Sequence, residues 1–338
     1  MRVLIVGVPD ATHVGGHFLE AGRQLGVEVE LLSVAAAYQA PRLVRSLLWH
    51  AFGHRPARLG AFSSTLVGKC EAMKPDLVVA TGLAPVNAEA LLRIKQMGIT
   101  TANFLTDDPW NKAHTAPWFM KGLKHYHQVF TPRHANEPEL CALASPQIVY
   151  MPFGYAPEAH FPSAEPGLAE RARASSNVLF IGGADQERTL IMNALQGRGF
   201  NLSLWGGYWD QRPGLKAFAH GHADLETFRR EVVSNAINLC LVRRANRDGH
   251  SMRTFELAAV GGCMLVEDTE DHRSLFGDDG ECVRYFTTMD ELDQQAKALL
   301  KNPDERQHLA EAVHRRICKE GQHTYADRLR AISSHTHS

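Results

Sequence analysis

Apolar residues in this chain come in short, nearly continuous runs set apart by amphipathic stretches. In the first half the runs are RVLIVGV (2–8), VEVELLS (27–33), DLVVAT (76–81), TTANFL (100–105), HQVFT (127–131) and QIVYM (147–151). Runs this short and this rich in Val, Ile and Leu read as strands covered on both faces, the pattern of a parallel sheet with helices between its strands. The helical spacing falls between them. GHFLEAGRQLG (16–26) closes on Gly26, and NAEALLRIKQMG (87–98) has Asn87 as N-cap and Gly98 as C-cap.

Residues 152–176 break the rhythm. Pro152, Pro157, Pro162 and Pro166 fall close together and a polar SSN follows, which reads as an interdomain linker. The alternation then restarts with strands at NVLFIG (177–182), FNLSLW (200–205), AINLCLV (236–242), CMLV (263–266) and CVRYF (282–286). Asp224 caps a helix over 224–235 whose Leu225, Phe228 and Val232 share a face. Thr288 and Glu291 have capping-box spacing, and Pro303 opens a helix whose Leu309, Val313 and Ile317 form a stripe. A last helix is expected around 325–332. The expected fold is α/β, with two Rossmann-like, doubly wound parallel-sheet domains facing a cleft. The expected division is an N-terminal domain over 1–155, a C-terminal domain over 156–320, and a C-terminal helix and tail over 321–338 that packs back on the N-terminal domain.

Composition narrows the function. A chain of 338 residues with 44% apolar and 22% charged residues is a globular protein of about two domains. A net charge of -1 gives no basic face for nucleic acid. Six cysteines without C-x-x-C spacing read as reduced thiols, which suits the cytosol. The start, MRVLIVGVPD, is too short for a secretory leader, and no apolar stretch approaches the ~20 residues of a membrane span. The halves differ mildly: residues 1–155 carry 14 basic and 11 acidic side chains, and residues 31–70 carry no acid at all. Within them PRLVRSLLWHAFGHRPARL (41–59) is basic and amphipathic. It reads either as a contact for an anionic membrane surface or phosphorylated acceptor, or as a solvated helix with one buried stripe.

Candidate chemistry lies where strands end. The first strand runs into Gly7, Asp10, His13, Gly15, Gly16 and His17, which is not a G-x-G-x-x-G fingerprint, so dinucleotide binding is not indicated. Those residues still open a helix at the carboxyl edge of the sheet, where α/β folds bind ligands; their alternative is turn chemistry and capping. In the second half Gly182 and Gly183 lead into a helix carrying Arg188, which offers backbone N–H groups and a cation to phosphate. The densest cluster runs from Arg243 to Glu256: Asp248, His250, Ser251, Arg253, Thr254 and Glu256 sit at a loop-to-helix junction, with Ser251 at the N-cap. Arg253 and Glu256 share a helix face. A cation beside free N–H groups suits a diphosphate, and a carboxylate one turn on suits two sugar hydroxyls. Asp107 and Asp108 end another strand. Adjacent residues of an extended segment point to opposite faces, so they do not form a metal pair, and Asp-Asp-Pro is also a good turn. His335 and His337 near the end are weak metal candidates.

This layout resembles a GT-B glycosyltransferase. Asp248-x7-Glu256 followed by Leu-Ala-Ala-Val-Gly is similar to the E-x7-E signature of retaining enzymes of that fold, with Asp in the first place. Ser251-Met-Arg-Thr-Phe-Glu256, Gly261-Gly262-Cys-Met-Leu, Glu281, His323-Thr-Tyr325-Ala-Asp-Arg328 and Thr106-Asp107-Asp108-Pro109-Trp110 resemble the spore-maturation (CgeB-like) group of glycosyltransferases. The resemblance implies a nucleotide-sugar donor, a UDP-sugar, held in the C-terminal domain. Arg253 would take the diphosphate and Glu256 the ribose hydroxyls. Gly182, Gly183 and Arg188 would shape the phosphate end, and Gly206 and His222 would flank the base. It further implies His13, Gly15, Gly16 and His17 toward sugar and acceptor, Asp107 or Asp108 as acceptor contact or base, no cofactor and no metal, and a glycan, lipid-linked or small-molecule acceptor. The expected place is the cytoplasm, with peripheral membrane contact through 41–59. Two other readings keep the fold: a non-catalytic nucleotide-sugar-binding accessory protein, and an epimerase.

Overall fold

Every run of Val, Ile and Leu named above becomes a strand in the computed structural model, which describes residues 1–113, 115–143 and 147–334. The first sheet holds β1 (Arg2–Gly7), β2 (Glu28–Ser33), β3 (Leu77–Thr81), β4 (Thr100–Phe104), β5 (Gln128–Thr131) and β6 (Gln147–Tyr150) in the order β2-β1-β3-β4-β5-β6, all parallel. Its helices are α1 (Val14–Gln24), α2 (Arg42–Ala51), α3 (Leu59–Met73), α4 (Ala88–Gln96), α5 (Pro117–Leu123) and α6 (Glu137–Cys141). Val3, Leu4, Ile5 and Val6 are all fully buried, as successive residues of a strand must be when helices cover both faces. Asn87 caps α4 through its carbonyl oxygen, which accepts from Ala90 N–H at 2.9 Å.

The second sheet holds β7 (Asn177–Ile181), β8 (Asn201–Trp205), β9 (Ala219–Gly221), β10 (Ile237–Cys240), β11 (Met264–Glu267) and β12 (Arg284–Phe286) in the order β12-β11-β10-β7-β8-β9. Read from its other edge this is the doubly wound order 3-2-1-4-5-6. Its helices are α7 (Leu168–Ala174), α8 (Gln186–Gly197), α9 (Leu225–Ser234), α10 (Met252–Val260), α11 (Glu270–Phe276), α12 (Met289–Lys301) and α13 (Pro303–Arg315); α14 (Tyr325–Ser334) follows. The caps follow the sequence: Asp224 accepts from Thr227 N–H, and Thr288 with Glu291 closes a full capping box on α12.

The chain divides into two units. One comprises Met1–Phe153, the segment Arg243–Asp248 and the stretch from Tyr325; the other comprises Gly154–Val242 and Gly249–Thr324. Within the first unit α14 packs on α1: Tyr325 stacks on His17 with ring centres 4.9 Å apart and meets Phe18 edge-on. Arg328 donates to the carbonyls of Pro152 and Phe153, both at 2.9 Å.

Three features were not anticipated from the sequence. β9 carries only Ala-His-Gly, with no β-branched residue, and is held at the sheet edge by pairing with β8 across a register shift. The proline-rich linker contains α7 and a bridge between Tyr155 and Thr324. Residues 41–59 do form a helix, α2, but none of its residues is buried, so the buried stripe is absent. His335 and His337 lie outside the described residues. Among the described residues no helix is long and apolar enough to cross a membrane.

Candidate functional site

In the doubly wound second sheet the strand order reverses between β7 and β10, so the crevice for a ligand opens at the carboxyl ends of those two strands. Gly182 and Gly183 follow β7, and Gly206 follows β8. Gly206 has φ +126, and a Cβ there would strike the Gly182 carbonyl, so only glycine lets these two loops cross. The crossing is tied by Gly182 N–H to Trp205 O at 2.8 Å, Ala184 N–H to Gly207 O at 2.9 Å and the Trp209 indole N–H to Gly182 O at 2.7 Å. Arg188, on the first turn of α8, donates to Gly183 O at 3.1 Å and lies over the Phe180 ring. His222 is exposed beside Gly207, and His220 stacks on Trp205 at 5.0 Å. The structure therefore gathers Gly182, Gly183, Arg188, Gly206 and His222 at one edge of one sheet.

α10 starts at the same edge. Arg253 Nε donates to the carbonyl of Ile181, the last residue of β7, at 3.2 Å, and the guanidinium lies 5.1 Å from the centre of the Phe228 ring. It also forms an ion pair with Glu256, one turn on. The two side chains differ in exposure, 37% for Arg253 and 1% for Glu256. The guanidinium reaches the surface. The carboxylate does not, and it faces His160 Nε2 at 3.7 Å. Ala156 N–H donates to His160 Nδ1 at 3.1 Å, which leaves the proton of the neutral ring on Nε2, toward Glu256. Glu256, expected at the ribose hydroxyls, is buried here beside Arg253 and His160. A buried carboxylate must be paired, and here Arg253 supplies the charge. His160 is the neighbour that sequence reasoning missed, because it lies in a proline-rich stretch read as linker.

Three further residues expected at the donor have partners around the start of α10. Ser251 N–H donates to Thr254 Oγ1 at 3.0 Å, half of the capping box that starts α10. Thr254 is fully buried and meets His272 Nε2 at 2.9 Å, while His272 Nδ1 meets Glu267 O at 2.8 Å. His250 is buried against Asp271 at 2.9 Å. Their contribution is to fix where α10 begins, and so where Arg253 points. Burial depresses the pKa of His272 to about 4. The unfolded chain binds a proton below pH ~6.5 that the native state refuses, so stability is complete above that pH and is lost as pH falls toward 4. We expect roughly 3 kcal/mol of acid sensitivity from this residue, read as a flatter stability-against-pH curve for His272→Gln in denaturant titrations.

In the first unit the turn after β1 is tightly packed. A Cβ on Gly15 would come within 2.6 Å of Val8 O, and one on Gly16 would strike Asp10 O. These glycines let α1 start against the loop, next to the reversal of strand order between β1 and β3. Asp10 accepts from the Thr12 hydroxyl at 2.6 Å and its N–H at 2.8 Å, and these bonds hold its pKa below the usual carboxylate range. His13 occupies the N-cap position without a side-chain cap bond, and His17 is buried against Tyr325.

The two adjacent carboxylates part company. Asp107 accepts from the Thr106 hydroxyl at 3.2 Å. Asp108 is fully buried and takes two bonds from Arg247, at 2.7 and 3.1 Å, one from Asn136 at 2.9 Å and one from Trp110 N–H at 2.9 Å. Burial works to raise its pKa, yet Arg247 and the other donors hold it low. A carboxylate so committed is not placed to act as a base. Asp248, expected beside the sugar, is paired with Arg133, whose guanidinium also donates to Thr106 O at 2.8 Å. Asn111 donates to Asn246 at 2.7 Å. The segment Arg243–Asp248 is thus pinned by buried charge, a role that nothing in its local pattern announces.

Comparison with known proteins places the fold. Residues 187–334 match the family model described as glycosyl transferase-like. No curated protein matches the chain. Among solved structures, sucrose-phosphate synthase from Thermosynechococcus elongatus is similar over 99% of this chain and 98% of that one, at 12% identity and TM-score 0.70. Anabaena HepE in complex with UDP-glucose is similar over 99% of this chain and 100% of that one, at 11% identity and TM-score 0.68. A putative UDP-N-acetylglucosamine 2-epimerase from Listeria monocytogenes is similar over 99% and 96%, at 16% identity and TM-score 0.55. The two six-stranded parallel sheets, each flanked by helices, make this an α/β protein of the GT-B fold.

Proposed function

We propose that the chain is a glycosyltransferase that moves a sugar from a UDP-sugar to an acceptor hydroxyl. The observation that carries this is Arg253: a cation on the first turn of α10, bonded to the end of β7 where the sheet order reverses, within the stretch that the glycosyl transferase-like model matches. That match and the likeness to transferases of this fold support transfer as the activity. The neighbour solved with UDP and with UDP-glucose supports uridine diphosphate as the carrier.

In this reading the N–H groups of the first turn of α10 and the guanidinium of Arg253 receive the diphosphate. As the bond from the anomeric carbon to the phosphate oxygen breaks, its electron pair leaves with the diphosphate, and Arg253 meets the growing charge. A fixed cation and helix dipole at this place supply the stabilisation that a divalent metal gives elsewhere, so we assign no metal to the reaction. Glu256 acts through Arg253, holding it toward Ile181. Gly182, Gly183, Arg188, Gly206 and His222 surround the rest of the nucleotide. On the acceptor side we assign His17, near the start of α1 and buried beside Tyr325, and Asp107, just beyond β4, as the candidates to take the acceptor's proton.

A second reading, a nucleotide-sugar binder that transfers nothing, is favoured by one observation: Asp108, the more buried of the two candidate carboxylates, is fully engaged by Arg247. Donor binding without transfer or donor hydrolysis across a panel of acceptors would select it.

Thermal unfolding with UDP, ADP, GDP and TDP tests the shared premise. A ligand at 100 times its Kd should stabilise the protein by about 2.7 kcal/mol. We expect UDP to do so, with the same shift in EDTA. If no nucleotide diphosphate moves the transition, the donor site is not there.

A further inference from the structure

α2 is an amphipathic helix turned the wrong way for a water-facing surface. With 3.6 residues per turn, Leu43, Val44, Leu47 and Ala51 fall on one side and Arg42, Arg45, Ser46 and His50 on the other. None of these residues is buried, and the apolar ones stand open to solvent: Leu43 is 84% exposed and Leu47 is 58% exposed. Among the described residues twelve large hydrophobics are exposed, and five of them, Leu43, Val44, Leu47, Trp49 and Phe52, lie in the ten residues 43–52. Scattered singly they would need no explanation; gathered on one helix they mark a surface that something covers.

The helix is not a loose strand of chain. Arg58 N–H bonds Ala37 O at 2.9 Å, His54 bonds Thr115 O at 3.1 Å and stacks at a tilt on Trp49, and Gly53 is pressed on Pro117. The fold therefore holds an apolar ridge out from its first unit on two fixed ends.

Its polar side borders a cavity of about 360 Å³ lined by Tyr38, Arg42, Arg45, Trp49, His50 and Arg55. No acidic side chain lines it, and residues 31–70 contain none. Three arginines without a local counter-charge, with Trp49 among them, beside an exposed row of Leu and Val with Phe52 at its margin, match one environment on both counts: a bilayer surface with anionic headgroups above an acyl region. A protein partner would need an acidic groove with an apolar floor. A second copy of this chain would bring the same arginines against these, which repels.

We propose that α2 docks this protein on an anionic phospholipid bilayer, Leu43, Val44, Leu47 and Phe52 entering the acyl boundary and Arg42, Arg45 and Arg55 holding headgroup phosphates. The inference stands on α2 alone and is independent of the donor-site reading.

The test is co-sedimentation of the full chain with vesicles of phosphatidylcholine, or of phosphatidylcholine with about a third phosphatidylglycerol. Partitioning to the anionic vesicles should exceed that to neutral ones by at least ~10-fold, because each arginine near such a surface adds favourable charge interaction, and it should weaken as salt rises. Leu43→Asp/Leu47→Asp and Arg42→Glu/Arg45→Glu should each lower it by ~10-fold or more at unchanged melting temperature, since the altered side chains are exposed. On the anionic vesicles the Trp49 fluorescence should shift to shorter wavelength, seen as the difference between the chain and Trp49→Phe. Equal binding to both vesicles, binding that survives both double variants, or a concentration-dependent dimer abolished by Leu43→Asp/Leu47→Asp would each overturn the proposal, the last by giving the face to a second copy.

Discussion

Arg253→Ala is expected to weaken UDP binding by about 100-fold or more, since two charge-assisted bonds to the diphosphate are each worth roughly 1.5–3 kcal/mol. It carries a second cost. Glu256 would keep a buried charge with its main counter-ion gone. A fully buried pair broken in this way costs ~3–5 kcal/mol; with Arg253 more than a third exposed, we expect about 2–3 kcal/mol. The two effects separate in the double variant Arg253→Met/Glu256→Gln, which removes both charges. Its melting temperature should return most of the way while UDP affinity, measured by calorimetry, stays lost. Recovery of UDP binding along with stability would show that Arg253 only balances Glu256, and the donor site would have to be sought elsewhere.

The largest loss of stability should come from the pinned segment Arg243–Asp248. The side chains of Arg133 and Asp248 are 2% and 6% exposed, so Asp248→Ala leaves Arg133 charged and buried, at a cost of about 3–5 kcal/mol in urea unfolding. Arg133→Met/Asp248→Leu should recover much of it, because two apolar groups need no counter-charge. Asp108→Asn should act in the same region with a pH signature. The native pKa of Asp108 is held below its unfolded value by Arg247, despite burial that works the other way. Its contribution is therefore present above pH ~4 and disappears as the native carboxylate takes up a proton at lower pH. The variant should be less stable than the parent at neutral pH and converge with it in acid. A constant difference across the whole range would mean that the carboxylate's charge is not what matters.

How far the sequence reached can be judged element by element. Strands such as β1, β3, β10 and β11 were legible because a strand covered on both faces is apolar at nearly every position, which leaves an almost unbroken run, whereas β2 was legible from Val29, Leu31 and Leu32 although Glu28 and Glu30 stand exposed. β9 was not legible: three residues, Ala-His-Gly, have no propensity of their own and are recruited by the edge of β8. The caps at Asn87, Asp224 and Thr288 were legible because a cap is a local bond between residues three apart. The gathering of Gly182, Gly183, Arg188, Gly206, His222 and Arg253 on one sheet edge followed from placing each at the end of a strand. The partners of the charged groups were beyond reach. Asp108 to Arg247 spans 139 residues and Arg133 to Asp248 spans 115, and no periodicity records such a pairing. The burial of Thr254 against His272 and of His250 against Asp271 was equally beyond reach.

The two parallel α/β sheets and the residues delivered to their carboxyl edges can be read along the chain, because apolar runs, turns and caps act over a few neighbouring residues. Which charges are open and which are spent depends on the packed fold. A carboxylate's state depends on the cation brought beside it and on the water excluded around it, and both are set when distant segments pack. That is why the pairing of Glu256 with Arg253, the commitment of Asp108 to Arg247 and the uncovered apolar side of α2 appear only in the folded chain.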